Sequence, residues 1–317
     1  MNQNAEIIFM LCSHLIKNEE YKPFEPSEWS GLAEKLMKSG LQPKELPVLT
    51  DADFLELGIV SEERVRIRKL IDRGSNLTFE LEKYENMGIS VITRADAGYP
   101  RKLKTVLGKS CPPLFYYCGD LSVAENKCIG FVGSRNTDEC DREFAEKIVG
   151  VVNDLGYEVV SGGAKGIDKI AGDASLQNGR RAVAYIADSM VKRIKNRDVI
   201  SAVRDGRLLL MSAVCPDVGF TVATAMMRNR YIYAQSSGTV VVRSDYKKGG
   251  TWSGASDSIK HKLSPVLCWN NPEYKGNQEL IRLGAVPIDE NWNGVVNSAA
   301  SNAAMAEEEA VQLSFFE

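Results

Sequence analysis

Two strand–turn–helix successions between residues 129 and 176 predict an α/β protein built on a doubly wound, mostly parallel sheet. Residues 129–132 form a short uncharged apolar run, which suits a strand buried on both faces. Gly133-Ser134-Arg135 then breaks the chain. Behind a cap at Thr137 or Asp138, residues Phe144, Ile148, Val151, Val152 and Leu155 recur at helical spacing. Gly156 stands where a C-terminal cap belongs. Residues 157–161 repeat the strand, Gly162-Gly163 closes it, and Gly166 and Asp168 open a helix over 167–176.

Both glycine-rich turns follow strands, so they lie at one edge of a parallel sheet. Each is expected to present backbone N–H groups at a helix N-terminus, which is an anion site. Arg135 stands in one turn and Lys165 in the other. Two such turns, each with a cation, predict a phosphate cradle. The simpler alternative is that the glycines only make tight turns and the cations are solvated. No G-x-G-x-x-G follows the first strand and no G-K-[ST] occurs, so neither common nucleotide fingerprint applies.

The 317 residues, 44% of them hydrophobic, allow one large domain with an appendage. No apolar run approaches a membrane span, and the N-terminus has no export signal, so a cytoplasmic protein is expected. The 7 cysteines lie singly and form no C-x-x-C, which argues against a zinc site or a disulfide frame. The net charge is −3, yet residues 165–262 hold 17 basic and 8 acidic residues. A basic core inside an acidic chain fits a localised polyanion site.

Ahead of the core, apolar residues 7–16 suggest a helix, and Trp29, Leu32, Leu36 and Met37 a second. Thr50 or Asp51 can cap a third, and Val65, Ile67, Leu70 and Ile71 a closing one. Residues 88–93 read as a strand, and residues 114–117 as a strand at the sheet edge. Strands are also expected at 182–186, 208–211 and 239–242. Past Asn291 the chain is rich in Asn, Ser, Ala and Glu and reads as disordered. The expected organisation is a helical unit at 1–77, a core at 78–290 and a tail at 291–317.

The two turns, Gly133-Ser134-Arg135 and Ser161-Gly162-Gly163-Ala164-Lys165-Gly166-Ile167-Asp168, together resemble the DprA (Smf) family of DNA-processing proteins. Tyr99-Pro100-x-x-Leu103 and Pro112-Pro113 are similar to that family's lead-in. Met227-Arg228-Asn229-Arg230-Tyr231-Ile232 is similar to its R-N-R-I-I stretch, Gly249-Gly250-Thr251 to its S-G-[ST] turn, and Asn277-x-x-Leu280-Ile281-x-x-Gly284-Ala285 to its closing segment. The family's glycine and Tyr-Pro between 187 and 197 are missing. Lys192, Arg193, Lys195 and Arg197 stand there instead. The winged helix that ends many family members finds no room. The N-terminal unit, with Leu57-Gly58-Ile59 ahead of residues 64–71, resembles a SAM domain.

The resemblance implies a Rossmann-like core, no enzymatic activity, no cofactor, and single-stranded DNA held by its phosphates. The implied contacts are Gly133, Ser134, Arg135, Ser161, Gly162, Gly163, Lys165, Gly166, Arg228, Asn229, Arg230, Gly250 and Thr251; by their charge alone, Lys192, Arg193, Lys247 and Lys248 are added as expected DNA-backbone contacts. It also implies a homodimer and delivery of the strand to RecA in recombination or transformation. Trp252 is a stacking platform or a core residue. Asp168 reads as a cap in a helix's first turn rather than a base. His14 and His261 have no metal-binding company. The second reading is a sensor whose cradle holds a nucleotide or NAD-like ligand, as in phage defence. At the end of the chain Gln312-Leu313-Ser314-Phe315-Phe316 resembles a bacterial sliding-clamp-binding peptide, through Gln312, Leu313, Phe315 and Phe316. The alternative is that these apolar residues fold onto the core.

Overall fold

The computed structural model describes residues 1–294. Its sheet has nine strands: β1 Ser90–Thr93, β2 Leu114–Cys118, β3 Cys128–Val132, β4 Glu158–Ser161, β5 Ala182–Tyr185, β6 Leu208–Ser212, β7 Thr239–Val241, β8 Val266–Trp269 and β9 Val286–Ile288. Across the sheet they run β1-β2-β6-β5-β4-β3-β7-β8-β9. All neighbours from β6 to β9 are parallel, while β2 is antiparallel to both β1 and β6. The segment at 114–118 therefore lies one strand in from the edge, which β1 occupies.

The helices of the core are α6 Arg101–Leu107, α7 Glu139–Asp154, α8 Ile167–Gln177, α9 Met190–Arg193, α10 Arg197–Arg204, α11 Val222–Gln235, α12 Gly249–His261 and α13 Lys275–Arg282. Before them come α1 Gln3–Cys12, α2 Pro26–Lys38, α3 Asp51–Glu56, α4 Ser61–Asp72 and α5 Gly74–Glu85.

Alternate residues of each strand point to opposite faces, as the pleat requires. On one face, Cys128 and Val132 of β3, Val160, Val183, Leu209 and Val241 share a core with α6, α11 and α12. The other face is divided. Ile129, Phe131, Val159, Val240 and Leu267 meet α7 and α8. Leu114, Tyr116, Ala182, Ala184 and Leu210 meet the N-terminal helices. Covering both faces explains why the central strand β3 reads as an uninterrupted apolar run.

The N-terminal helices are continuous with this core. Ile8, Leu11, Phe24, Leu32, Phe54 and Leu70 belong to the same apolar cluster as Tyr116 of β2. The expected boundary between residues 77 and 78 falls inside α5, which continues to Glu85. Arg73 joins α4 to α1: its guanidinium donates to the carbonyls of Met10 and Ser13, at 3.0 and 2.8 Å, and pairs with Glu19. Ser13 in turn bonds Tyr116 through the two hydroxyls at 2.9 Å. Arg73 is 7% exposed. Arg73→Ala leaves those carbonyls and Glu19 without partners. It is expected to cost about 3 kcal/mol in denaturant unfolding.

Two units of the chain leave β3 in opposite directions. After β3 the order runs outward through β4, β5 and β6. The chain then returns to place β7 on the other side of β3. A crevice opens where the winding reverses, at the carboxyl ends of β3 and β7.

Candidate phosphate-binding cleft

Three turns meet in that crevice: residues 133–135 after β3, 162–166 after β4 and 242–248 after β7. They are held by hydrogen bonds to their main-chain carbonyls and to that of Gly250 at the start of α12. The Ile167 amide donates to the Ser134 carbonyl at 3.2 Å. The Thr251 hydroxyl donates to the Gly133 carbonyl at 3.0 Å, and the Asn229 amide group to the Gly250 carbonyl at 3.1 Å. Two glycines permit this packing. Gly166 has φ of +80°, and a Cβ there would sit 2.2 Å from the Ser134 carbonyl oxygen. A Cβ on Gly162 would sit 0.9 Å from the Arg228 guanidinium. The hydroxyls of Ser134 and Ser161 are spent within the turns, donating to the carbonyls of Asn136 and Asp168.

The cleft has a volume of about 460 Å³ and is lined by all three turns and by α11. Arg135 and Lys165 are exposed at its mouth, and Arg243 and Lys248 also line it. The Arg135 guanidinium lies 4.7 Å over the ring of Phe220, which is 48% exposed. Helices α8 and α12 begin at the cleft with no side-chain cap, at Gly166 and Lys248. Their first-turn amides therefore have no intrahelical acceptor, and both helix dipoles place partial positive charge here.

The first turn departs from expectation. Helix α7 starts only at Glu139, and Asp138 and Asp141 form a reciprocal capping box over its first amides. Arg243 donates to both carboxylates at 3.0 Å, and the Tyr274 hydroxyl donates to buried Asp141 at 2.8 Å. That helix N-terminus is already satisfied by its own acids. The helix N-termini without a side-chain cap at this cleft are those of α8 and α12, and the turn at 133–135 contributes Arg135 instead.

The three polar residues of the 228–230 stretch also divide. All lie in mid-helix, since α11 begins at Val222. Arg228 is buried and donates to Asp168 at 3.1 Å, and its Nε is buried with no hydrogen-bond partner. Asp168, expected as a simple cap, is thus the counter-charge of Arg228. Arg230, two positions on and so roughly 200° round the helix, leaves the cleft to pair with Asp257 of α12 at 3.2 Å.

Arg193 donates to the Gly163 carbonyl at 2.6 Å and pairs with Asp188 at 3.0 Å, bracing the second turn from behind. Lys192 is exposed on α9, outside the residues that line the cleft. Lys247 has φ of +55° and lies over the Tyr246 ring, also outside the lining. Trp252 is half-buried and meets Tyr246 edge to face at 5.1 Å.

Arg243 and Phe220 were not singled out from the sequence. Arg243 could have been found, because it lies two residues beyond the end of β7 at the edge where the turns gather. Nothing in the sequence placed Phe220 under Arg135. The peptide at 312–316 lies outside the described residues. Among those residues no three His, Cys, Asp or Glu side chains gather as metal ligands, and no helix is long and apolar enough to cross a membrane.

A doubly wound sheet with a cleft lined by cationic side chains at its switch point defines an α/β protein of Rossmann-like architecture. The family described as DNA recombination-mediator protein A matches residues 90–299, and the chain belongs to that family. Protein Smf of Synechocystis is 28% identical over 194 residues, covering 58% of this chain and 47% of that protein. The DNA processing protein DprA of Bacillus subtilis is 27% identical over 171 residues, covering 53% and 57%. The chain thus spans about half the length of these curated relatives.

The fold is that of the crystal structure of DprA from Streptococcus pneumoniae. The TM-score is 0.65 at 21% identity, over 84% of this chain and 95% of the other. DprA from Helicobacter pylori, solved for its single-stranded DNA binding mode, superposes with a TM-score of 0.54 at 22% identity, over 63% and 90%.

Proposed function

We propose that this chain binds single-stranded DNA in the cleft at the carboxyl ends of β3 and β7, without catalysing a reaction on it. One observation carries the reading: three interlocked turns present Arg135, Lys165 and Lys248 beside two uncapped helix N-termini. Backbone amides and cations of this kind recognise phosphate rather than base edges, so the binding has little sequence preference. Phe220, exposed and next to Arg135, supplies a face on which one base stacks. Single-strand binding by the Helicobacter pylori relative supports the same reading. The family resemblance extends it to delivery of the strand to RecA, and to a homodimer formed by the core. The terminal peptide at 312–316 extends it to a sliding clamp.

The test is a gel shift and a salt titration with mixed-sequence and homopolymer single strands. Arg135→Ala and Lys165→Ala are each expected to weaken binding about tenfold on every sequence. Each is also expected to lower the slope of log K against log salt by about 0.7. Wild-type affinity in both variants at low salt sinks the proposal. A cleft of about 460 Å³ also has room for a mononucleotide, which keeps the sensor reading as second. That reading expects a salt slope that does not grow with strand length.

A further inference from the structure

A second cleft opens at the other end of β3, beside its first residue, Cys128. Its walls are the start of α6, the segment 124–127, and Gln235 at the end of α11 with Ser237 beyond it. Its volume is about 510 Å³, within the usual range of small-molecule sites. The length of β3, about 16 Å for its five residues, separates it from the phosphate turns.

Arg101, Lys102 and Lys127 line this cleft, and among the described residues Glu125 is its one carboxylate. Lys102 is half-buried, and among the described residues its ammonium reaches only the Ser237 hydroxyl, at the long distance of 3.5 Å. The other groups nearby are neutral or occupied. Buried Gln235 donates to the Ala124 carbonyl, and the Tyr99 hydroxyl donates to that of Pro112 at 2.6 Å. Burial, aided by Glu158, pushes the Cys128 thiol up to about 12, so it carries no charge at neutral pH. Burial also lowers the Lys102 ammonium below its ordinary value. An ammonium has three donors to place, and removing it from water without a carboxylate is unfavourable. A multivalent oxyanion satisfies both requirements.

We infer that this cleft binds a small phosphorylated anion, with Lys102 at its centre and Arg101 and Lys127 at its rim. A free polyphosphate and the phosphate chain of a nucleotide present the same chemistry.

The experiment is calorimetric titration of the full chain with inorganic pyrophosphate and with ATP. Arg135→Ala/Lys165→Ala serves as background, so that the first cleft does not contribute. Saturable binding of pyrophosphate is expected there. Lys102→Met in that background is expected to weaken it at least about tenfold. Equal affinity for the two ligands assigns the site to the phosphates alone, and tighter ATP binding to a nucleotide. The surface variant Arg101→Ala/Lys127→Ala repeats the measurement without touching the interior and is expected to weaken binding too. Absence of saturable binding in the background variant overturns the inference, as does wild-type affinity in the Lys102→Met or the surface variant.

Discussion

Asp168→Ala is expected to lose about 3–5 kcal/mol of stability, the usual cost of removing one partner of a buried pair. Arg228 and Asp168 are 6% and 8% exposed, and their contact is 3.1 Å long. Without Asp168, the guanidinium of Arg228 stays buried without its counter-charge, and among the described residues its Nε has no hydrogen-bond partner either. Asp168→Asn keeps an acceptor in place and should lose less. Replacing both residues, as Asp168→Leu with Arg228→Met, removes the stranded charge. It is expected to recover part of the loss, and the double-mutant cycle measures the coupling. Denaturant unfolding decides the matter. A single variant as stable as the parent would show that the pair contributes nothing.

Gly166→Ala is expected to combine a stability loss of at least about 3 kcal/mol with loss of strand binding. The position has φ of +80° and ψ of −135°, where an L side chain is strained. The added Cβ would meet the Ser134 carbonyl oxygen at 2.2 Å and the Arg135 Cα at 2.7 Å, both main-chain atoms that cannot step aside as a side chain does. Relief requires the turns after β3 and β4 to separate, which breaks the bond from the Ile167 amide to Ser134 and displaces Arg135. Gly172 in the same helix is the control: nothing lies within 4 Å of its Cβ position. Gly172→Ala is expected to be neutral or stabilising by about 0.5–1 kcal/mol, with binding unchanged. Thermal melts and gel shifts on the two variants test this. Equal behaviour of Gly166→Ala and Gly172→Ala would refute the interlocked-turn account.

Much of the architecture was legible along the chain, because it depends on local periodicity. The buried parallel strand 128–132 is apolar along its whole length. Amphipathic α7 carries its core residues at helical spacing, and glycines mark the turns between. Those patterns placed both glycine turns at one sheet edge, and the sheet confirms it. The edge position of β2 was misread because antiparallel pairing with β6 leaves no mark on an apolar run. The boundary expected at 77 falls within α5, whose Leu77 and Leu81 share one apolar cluster with the N-terminal helices, and nothing in the composition of the segment marks that helix.

The chemistry of the cleft divides in the same way. Residue types at the turns, and the exposure of Arg135 and Lys165, follow from glycine-rich segments that end strands, which the amino-acid order alone prescribes. Which cations remain free to meet a ligand was decided only in three dimensions. Arg228, Arg230 and Arg193 look alike in sequence, yet Asp168, Asp257 and Asp188 claim them. The N-terminus of α7 was likewise claimed by Asp138 and Asp141, with Arg243 arriving from β7 some hundred residues away. Charge pairing acts over a few ångströms of space, and chain order holds no record of that distance until the sheet brings its strands together.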